Sequence, residues 1–103
     1  MSKPVLGIIG GGQLGSMLAT AARKINIKTV IFCDDPDAPA QNFSDDFIYG
    51  KYDNQNSIDQ FTSSVDIVTF EFENIPYETL EKINSIKPVL PHPSINKIVQ
   101  NRL

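Results

Sequence analysis

The run Gly10-Gly-Gly-Gln-Leu-Gly15 separates two stretches of different periodicity, and that change restricts the fold more than any other feature. Before it, Val5-Leu6-Gly7-Ile8-Ile9 reads as a buried strand, a short apolar run stopped by glycines. After it, Leu14, Met17, Leu18, Ala21, Ala22 and Ile25 fall at i, i+3, i+4, i+7, i+8 and i+11, which predicts one apolar stripe of an amphipathic helix. Arg23 and Lys24 occupy its last turns, where the helix dipole favours positive charge, and Asn26 is a natural stop. Thr29-Val30-Ile31-Phe32-Cys33 is a second strand-like run, ended by Asp34-Asp35-Pro36. Strand, glycine turn, helix and strand within about thirty residues make a βαβ unit, with parallel pairing and a right-handed crossover.

The alternation continues along the chain. Residues 37–42 are turn-like, with Pro36 and Pro39 nearby, and Phe47-Ile48-Tyr49 is a short third strand. Ser57-Ile58-Asp59-Gln60 has the form of a capping box, predicting a helix that runs to about Ser64. Residues 65–72 form a fourth strand, with Asp66 at its start. Pro76 suits the first turn of a helix whose apolar side is Tyr77, Leu80 and Ile83. Val89-Leu90 is a brief fifth strand between prolines, and Ser94 caps a last helix carrying Ile95, Ile98 and Val99. That helix meets Leu103 with no stop signal, so the open end reads as a cut chain rather than a natural terminus. Strands and helices joined by short connections predict a doubly wound parallel α/β sheet in three α/β/α layers.

Composition narrows the class. The 103 residues fit one domain and bury roughly 60–70% of their unfolded surface, enough for a real core. With 41% apolar and 20% charged residues, a disordered tail or a collagen-like repeat is excluded. A net charge of −3 argues against nonspecific nucleic-acid binding. No apolar run approaches the roughly 20 residues of a membrane span. Met1-Ser2-Lys3-Pro4 leads straight into the first strand and leaves no signal-peptide core, so a soluble, cytoplasmic domain is expected. Cys33 is the single cysteine, which excludes an internal disulfide and leaves a cysteine-based zinc site without partners.

Gly10, Gly12 and Gly15 form G-x-G-x-x-G between a strand and a helix, the context this motif needs. Glycine permits positive φ and close backbone approach, and the helix N-terminus favours an anionic or phosphate group. The plain alternative is a tight turn that binds nothing. Asp34 and Asp35 end the second strand about twenty positions past Gly15, where dinucleotide folds carry a ribose-binding acid; equally, they suit a polar turn before Pro36. Glu71 and Glu73 lie at the C-terminal end of the fourth strand, the edge at which open α/β sheets bind ligands. Two residues apart, they point to one side, and two carboxylates there repel unless a cationic or hydrogen-bonding ligand lies between them. If the strand has already ended, both simply face water. His92 stands in a Pro-His-Pro turn without a second metal ligand, and Cys33 reads as a small core residue. No nucleophile–base–orienter set can be assembled, so the domain alone reads as a binding unit.

Three pieces together carry a family resemblance: Gly7-Ile-Ile-Gly-Gly-Gly-Gln-Leu-Gly15 with Met17-Leu18, Asp35-Pro-Asp-Ala-Pro-Ala40, and Val68-Thr-Phe-Glu-Phe-Glu-Asn-Ile-Pro76. With Gln100-Asn-Arg-Leu103, they resemble the N-terminal domain of 5-(carboxyamino)imidazole ribonucleotide synthase, an ATP-grasp enzyme of purine biosynthesis. Ser16 departs from the arginine common there. The resemblance implies a Rossmann-like pre-ATP-grasp domain over residues 1–103, without the ATP-grasp and C-terminal domains of the longer enzyme. It implies an ATP-dependent ligase that carboxylates aminoimidazole ribonucleotide with bicarbonate, uses Mg²⁺ and works as a cytoplasmic homodimer, with no nucleic-acid or membrane partner. Carried over residue by residue, Gly12, Gln13, Leu14, Glu71 and Glu73 would face the ribonucleotide, with Glu73 accepting from its amine and Glu71 as second choice. Arg102 would approach ATP, while the metal and most of the nucleotide would be held elsewhere. Two other classes remain open on the residues: an NAD-binding domain of a dehydrogenase, and a nonenzymatic nucleotide-sensing module.

Overall fold

A computed structural model describes residues 4–70 and 75–90. Its elements are β1 (Val5–Ile9), α1 (Gln13–Lys24), β2 (Lys28–Cys33), a 3-10 turn (Pro39–Asn42), β3 (Asp46–Tyr49), α2 (Gln55–Ser64), β4 (Ile67–Phe70) and α3 (Tyr77–Asn84). The four strands pair in parallel in the order β3-β2-β1-β4. Ile9 stands beside Phe32 on one side and Phe70 on the other. The chain steps outward from β1 to β3, then returns to lay β4 against the free side of β1. The strand order therefore reverses between β1 and β4, and the crevice beyond their C-terminal ends is the switch point where such sheets take ligands.

Strands covered on both faces are apolar throughout, which is why β1 and β2 are continuous hydrophobic runs. Ile8, Ile31 and Cys33 pack with Ala19 of α1, Ala38 and Ala40 on one face. Ile9, Val30, Phe32, Val68 and Phe70 pack with Ile58, Phe61, Leu80 and Ile83 of α2 and α3 on the other. The doubly wound α/β architecture expected from the sequence is the one observed. Gly7 serves this packing: a Cβ there would lie 2.5 Å from Phe61 Cζ and 2.9 Å from Val65 Cγ1, so its bare backbone admits α2.

Several local expectations shift. α1 buries Gly15, Ala19 and Ala22, while Leu14, Met17 and Ile25 of the predicted stripe are 42, 60 and 65% exposed. Small side chains let the helix lie close to the sheet, and the larger apolar residues beside them turn outward. α2 begins at Gln55, capped by Asn54 rather than Ser57; the Asn54 side chain accepts the Ser57 N–H at 3.0 Å. α3 buries Thr79 with Leu80 and Ile83, leaving Tyr77 half-buried and Pro76 at the N-cap. The expected fifth strand reduces to one parallel bridge between Val68 and Val89, with Val68 donating to Pro88 and Leu90 donating to Val68. Asp66 does mark the start of β4: its carboxylate accepts the Val5 N–H at 2.7 Å, and its N–H donates to the Val5 carbonyl. Among the described residues no helix is long and apolar enough to cross a membrane. The last predicted helix, from Ser94, lies outside them.

Candidate functional site at the switch point

The glycine turn leaves β1 at the ligand-facing edge, and its three consecutive glycines have separate tasks. Gly10 has φ of 104°, a conformation that suits glycine, and its N–H extends the ladder by donating to Phe32 at 2.8 Å. Gly11 is buried; a Cβ there would lie 2.5 Å from Ala38 Cβ and 3.1 Å from Cys33 Sγ. Gly12 is the N-cap of α1 at φ −80°, so the positive φ considered for the motif belongs to Gly10, not Gly12. The Gly12 carbonyl accepts the Ser16 N–H and hydroxyl. α1 has neither a side-chain cap nor an acidic residue in its first turn. Its positive end therefore faces the crevice without a carboxylate of its own first turn, and the exposed Gln13 and Leu14 flank it.

Asp35 accepts the Asp37 N–H at 2.9 Å and so holds the turn itself. The segment that follows folds back: Ala38 and Ala40 are buried, and the Ala40 N–H donates to the Gly11 carbonyl at 3.0 Å. Ala38 thus packs against the glycine turn, on the same face as Cys33 at the end of β2. Asp34 borders a cleft of about 440 Å³ with Lys51, Tyr52, Asp53, Glu78 and Thr79.

Beside that cleft runs a buried polar line that the sequence reading missed. The Thr79 hydroxyl donates to the Tyr52 carbonyl at 2.8 Å, and the Tyr52 hydroxyl donates to Cys33 Sγ at 3.6 Å. The Tyr52 ring meets Phe32 edge-on, with centroids 5.4 Å apart. Burial, reinforced by the Cys33 contact, pushes the Tyr52 phenol far above its ordinary range and keeps it a donor. The one available signal was an aromatic ring set in the polar stretch Lys51-Tyr52-Asp53-Asn54. Cys33 is buried, as expected of a core residue. Glu71, Glu73, His92 and Arg102 lie outside the described residues. Among those described, no group of three or more His, Cys, Asp or Glu is disposed to hold a metal ion.

Comparison with known proteins supplies what the geometry leaves open. Residues 1–100 match the family model of the ribonucleotide synthetase preATP-grasp domain. The chain is 40% identical over 98 residues to the bifunctional purine synthesis protein purC/E of Dictyostelium discoideum, covering 95% of this chain and 10% of that protein. It is 36% identical over 98 residues to the N5-carboxyaminoimidazole ribonucleotide synthase of Staphylococcus epidermidis, covering 26% of that protein. Among solved structures, the N5-carboxyaminoimidazole ribonucleotide synthetase of Thermus thermophilus superimposes with a TM-score of 0.90 at 30% identity, over 95% of this chain and 27% of that one. The Aspergillus clavatus synthase, solved with ADP and 5-aminoimidazole ribonucleotide, superimposes with a TM-score of 0.83 at 29% identity, over 97% of this chain and 27% of that one. The chain thus spans about a quarter of the length of the synthases it matches. By sequence, by strand order and by the glycine turn at its switch point, it belongs to the ribonucleotide synthetase preATP-grasp domain family.

Proposed function

We propose that this chain is the ribonucleotide-binding domain of an ATP-dependent ligase that carboxylates 5-aminoimidazole ribonucleotide with bicarbonate in purine biosynthesis. The observation that carries the reading is the uncapped, acid-free start of α1 beside the switch-point crevice, in a chain matching the ribonucleotide synthetase family over residues 1–100. In this reading Gly12, Gln13 and Leu14 face the ribonucleotide, and Glu73 accepts from its exocyclic amine with Glu71 as the second choice. Arg102 approaches ATP. Bicarbonate takes the γ-phosphoryl group of ATP to give carboxyphosphate and ADP; the amine then bonds to the carboxyl carbon as its bond to the phosphate oxygen breaks, releasing inorganic phosphate and a proton. Mg²⁺ offsets phosphate charge, and in this reading it and most of the ATP are held by the ATP-grasp domain. The complete ligase is a cytoplasmic homodimer. The dehydrogenase alternative is disfavoured because the family matched over residues 1–100 is the ribonucleotide synthetase preATP-grasp domain.

The test is ADP release that depends on both bicarbonate and aminoimidazole ribonucleotide. The full-length protein is expected to show it. The 103-residue chain alone is expected to show none above a Glu73→Ala control, and release from it would overturn the division of labour.

A further inference from the structure

We infer that Cys33, Tyr52 and Thr79 form a positioning line that fixes the glycine turn relative to the start of α3 and so holds in place the residues that face the ribonucleotide. The inference rests on the ligase reading for its kinetic consequence and on the structure alone for the positioning.

The three residues come from three different elements at one edge. Cys33 ends β2 and touches the space beside Gly11. Tyr52 belongs to the connection between β3 and α2, and Thr79 to the first turn of α3. The line thus joins the end of β2, beside the glycine turn, to the start of α3 by way of the connection after β3. Packing alone does not require its polar atoms, since phenylalanine and valine would fill nearly the same volumes. A buried hydroxyl costs stability unless it is bonded, and a bonded one is directional. Apolar contacts tolerate small slides of a helix over a sheet; the 2.8 Å bond from Thr79 to the Tyr52 backbone does not. The contrast within the same core is Thr62, whose buried hydroxyl bonds to Ile58 of its own helix and ties no two elements together.

Thr79→Val, Thr79→Ser and Tyr52→Phe distinguish positioning from plain stability. In the full-length ligase, Thr79→Val and Tyr52→Phe should raise the KM for aminoimidazole ribonucleotide about three- to tenfold, the scale of one neutral hydrogen bond. Their kcat should stay within about twofold, because the reacting groups are untouched. Thr79→Ser retains the donor and should restore KM. In the 103-residue chain, amide NMR spectra should show Gly11 and Gly12 displaced by Thr79→Val and returned by Thr79→Ser. A lowered melting temperature with unchanged KM, or an undisturbed glycine turn in the Thr79→Val spectrum, overturns the inference. If the wild-type ligase shows no ribonucleotide-dependent turnover, the ligase reading fails, and the spectra alone decide the positioning.

Discussion

Replacing Gly11 with valine is expected to lower the melting temperature of the domain on the order of 10 °C. A Cβ at this position would lie 2.5 Å from Ala38 Cβ and between 3.1 and 3.2 Å from the Cys33 side chain, so either neighbour has to move. Neither moves freely. Ala38 is 3% exposed and Cys33 6%, and Ala40 two residues on is bonded to the Gly11 carbonyl. Overpacking of this kind costs about 1–3 kcal/mol, and in a domain of this size each kcal/mol shifts melting by roughly 4–8 °C. Gly12→Val makes the informative comparison. Gly12 sits at φ −80°, where valine meets no left-handed strain, yet it caps the helix end that faces the crevice. Thermal melts should separate the two variants, with Gly11→Val the less stable. Ribonucleotide titration should separate them in another way, because Gly12→Val is expected to weaken binding while keeping the fold. A Gly11→Val chain that melts with the wild type would mean that the Ala38 wall yields.

The second large effect is expected at Glu73. In the ligase reading its carboxylate accepts a hydrogen bond from the exocyclic amine of the ribonucleotide. Glutamine keeps the size of the side chain but replaces a charged acceptor with a neutral amide, and charge-assisted bonds are roughly twice as strong as neutral ones. In a water-poor site Glu73→Gln should cost about 1.5–3 kcal/mol, on the order of ten- to a hundredfold in kcat/KM. Glu71→Gln is the internal reference, because the two acids lie on the same stretch but should not share the contact equally. Steady-state kinetics with melts alongside read the result. A greater loss at Glu71 would exchange the two assignments, and no loss at either would remove this stretch from the ribonucleotide site.

Much of this architecture is visible in local pattern. Val5-Leu6-Gly7-Ile8-Ile9 and Thr29-Val30-Ile31-Phe32-Cys33 are apolar because both faces of the sheet are covered, and the glycines between strand and helix announce the turn. What local pattern misses is set by contacts between distant segments. The spacing of α1 allows more than one apolar face, and the small residues Gly15, Ala19 and Ala22 face inward because the sheet and the returning Ala38–Ala40 stretch leave no room for Met17 or Leu14. Ser57 and Asn54 are both good caps, and the structure uses the earlier one. Asp34 stands where a dinucleotide fold would hold a ribose, and local pattern does not reveal that Ala38 and Ala40 return onto Gly11. Tyr52 and Thr79 look like ordinary polar-segment residues until their partners, 19 and 27 positions away in sequence, are known.

Whether the glycine-turn edge takes a ribonucleotide and not a dinucleotide is decided by ligand titration of the nitrogen-15-labelled chain. Aminoimidazole ribonucleotide should give saturable shifts concentrated at the amides of Gly10, Gly11, Gly12, Gln13 and Leu14, and NADH should give none there. Saturable NADH shifts that run from the glycine turn to Asp34, with no response to the ribonucleotide, would contradict the ribonucleotide reading.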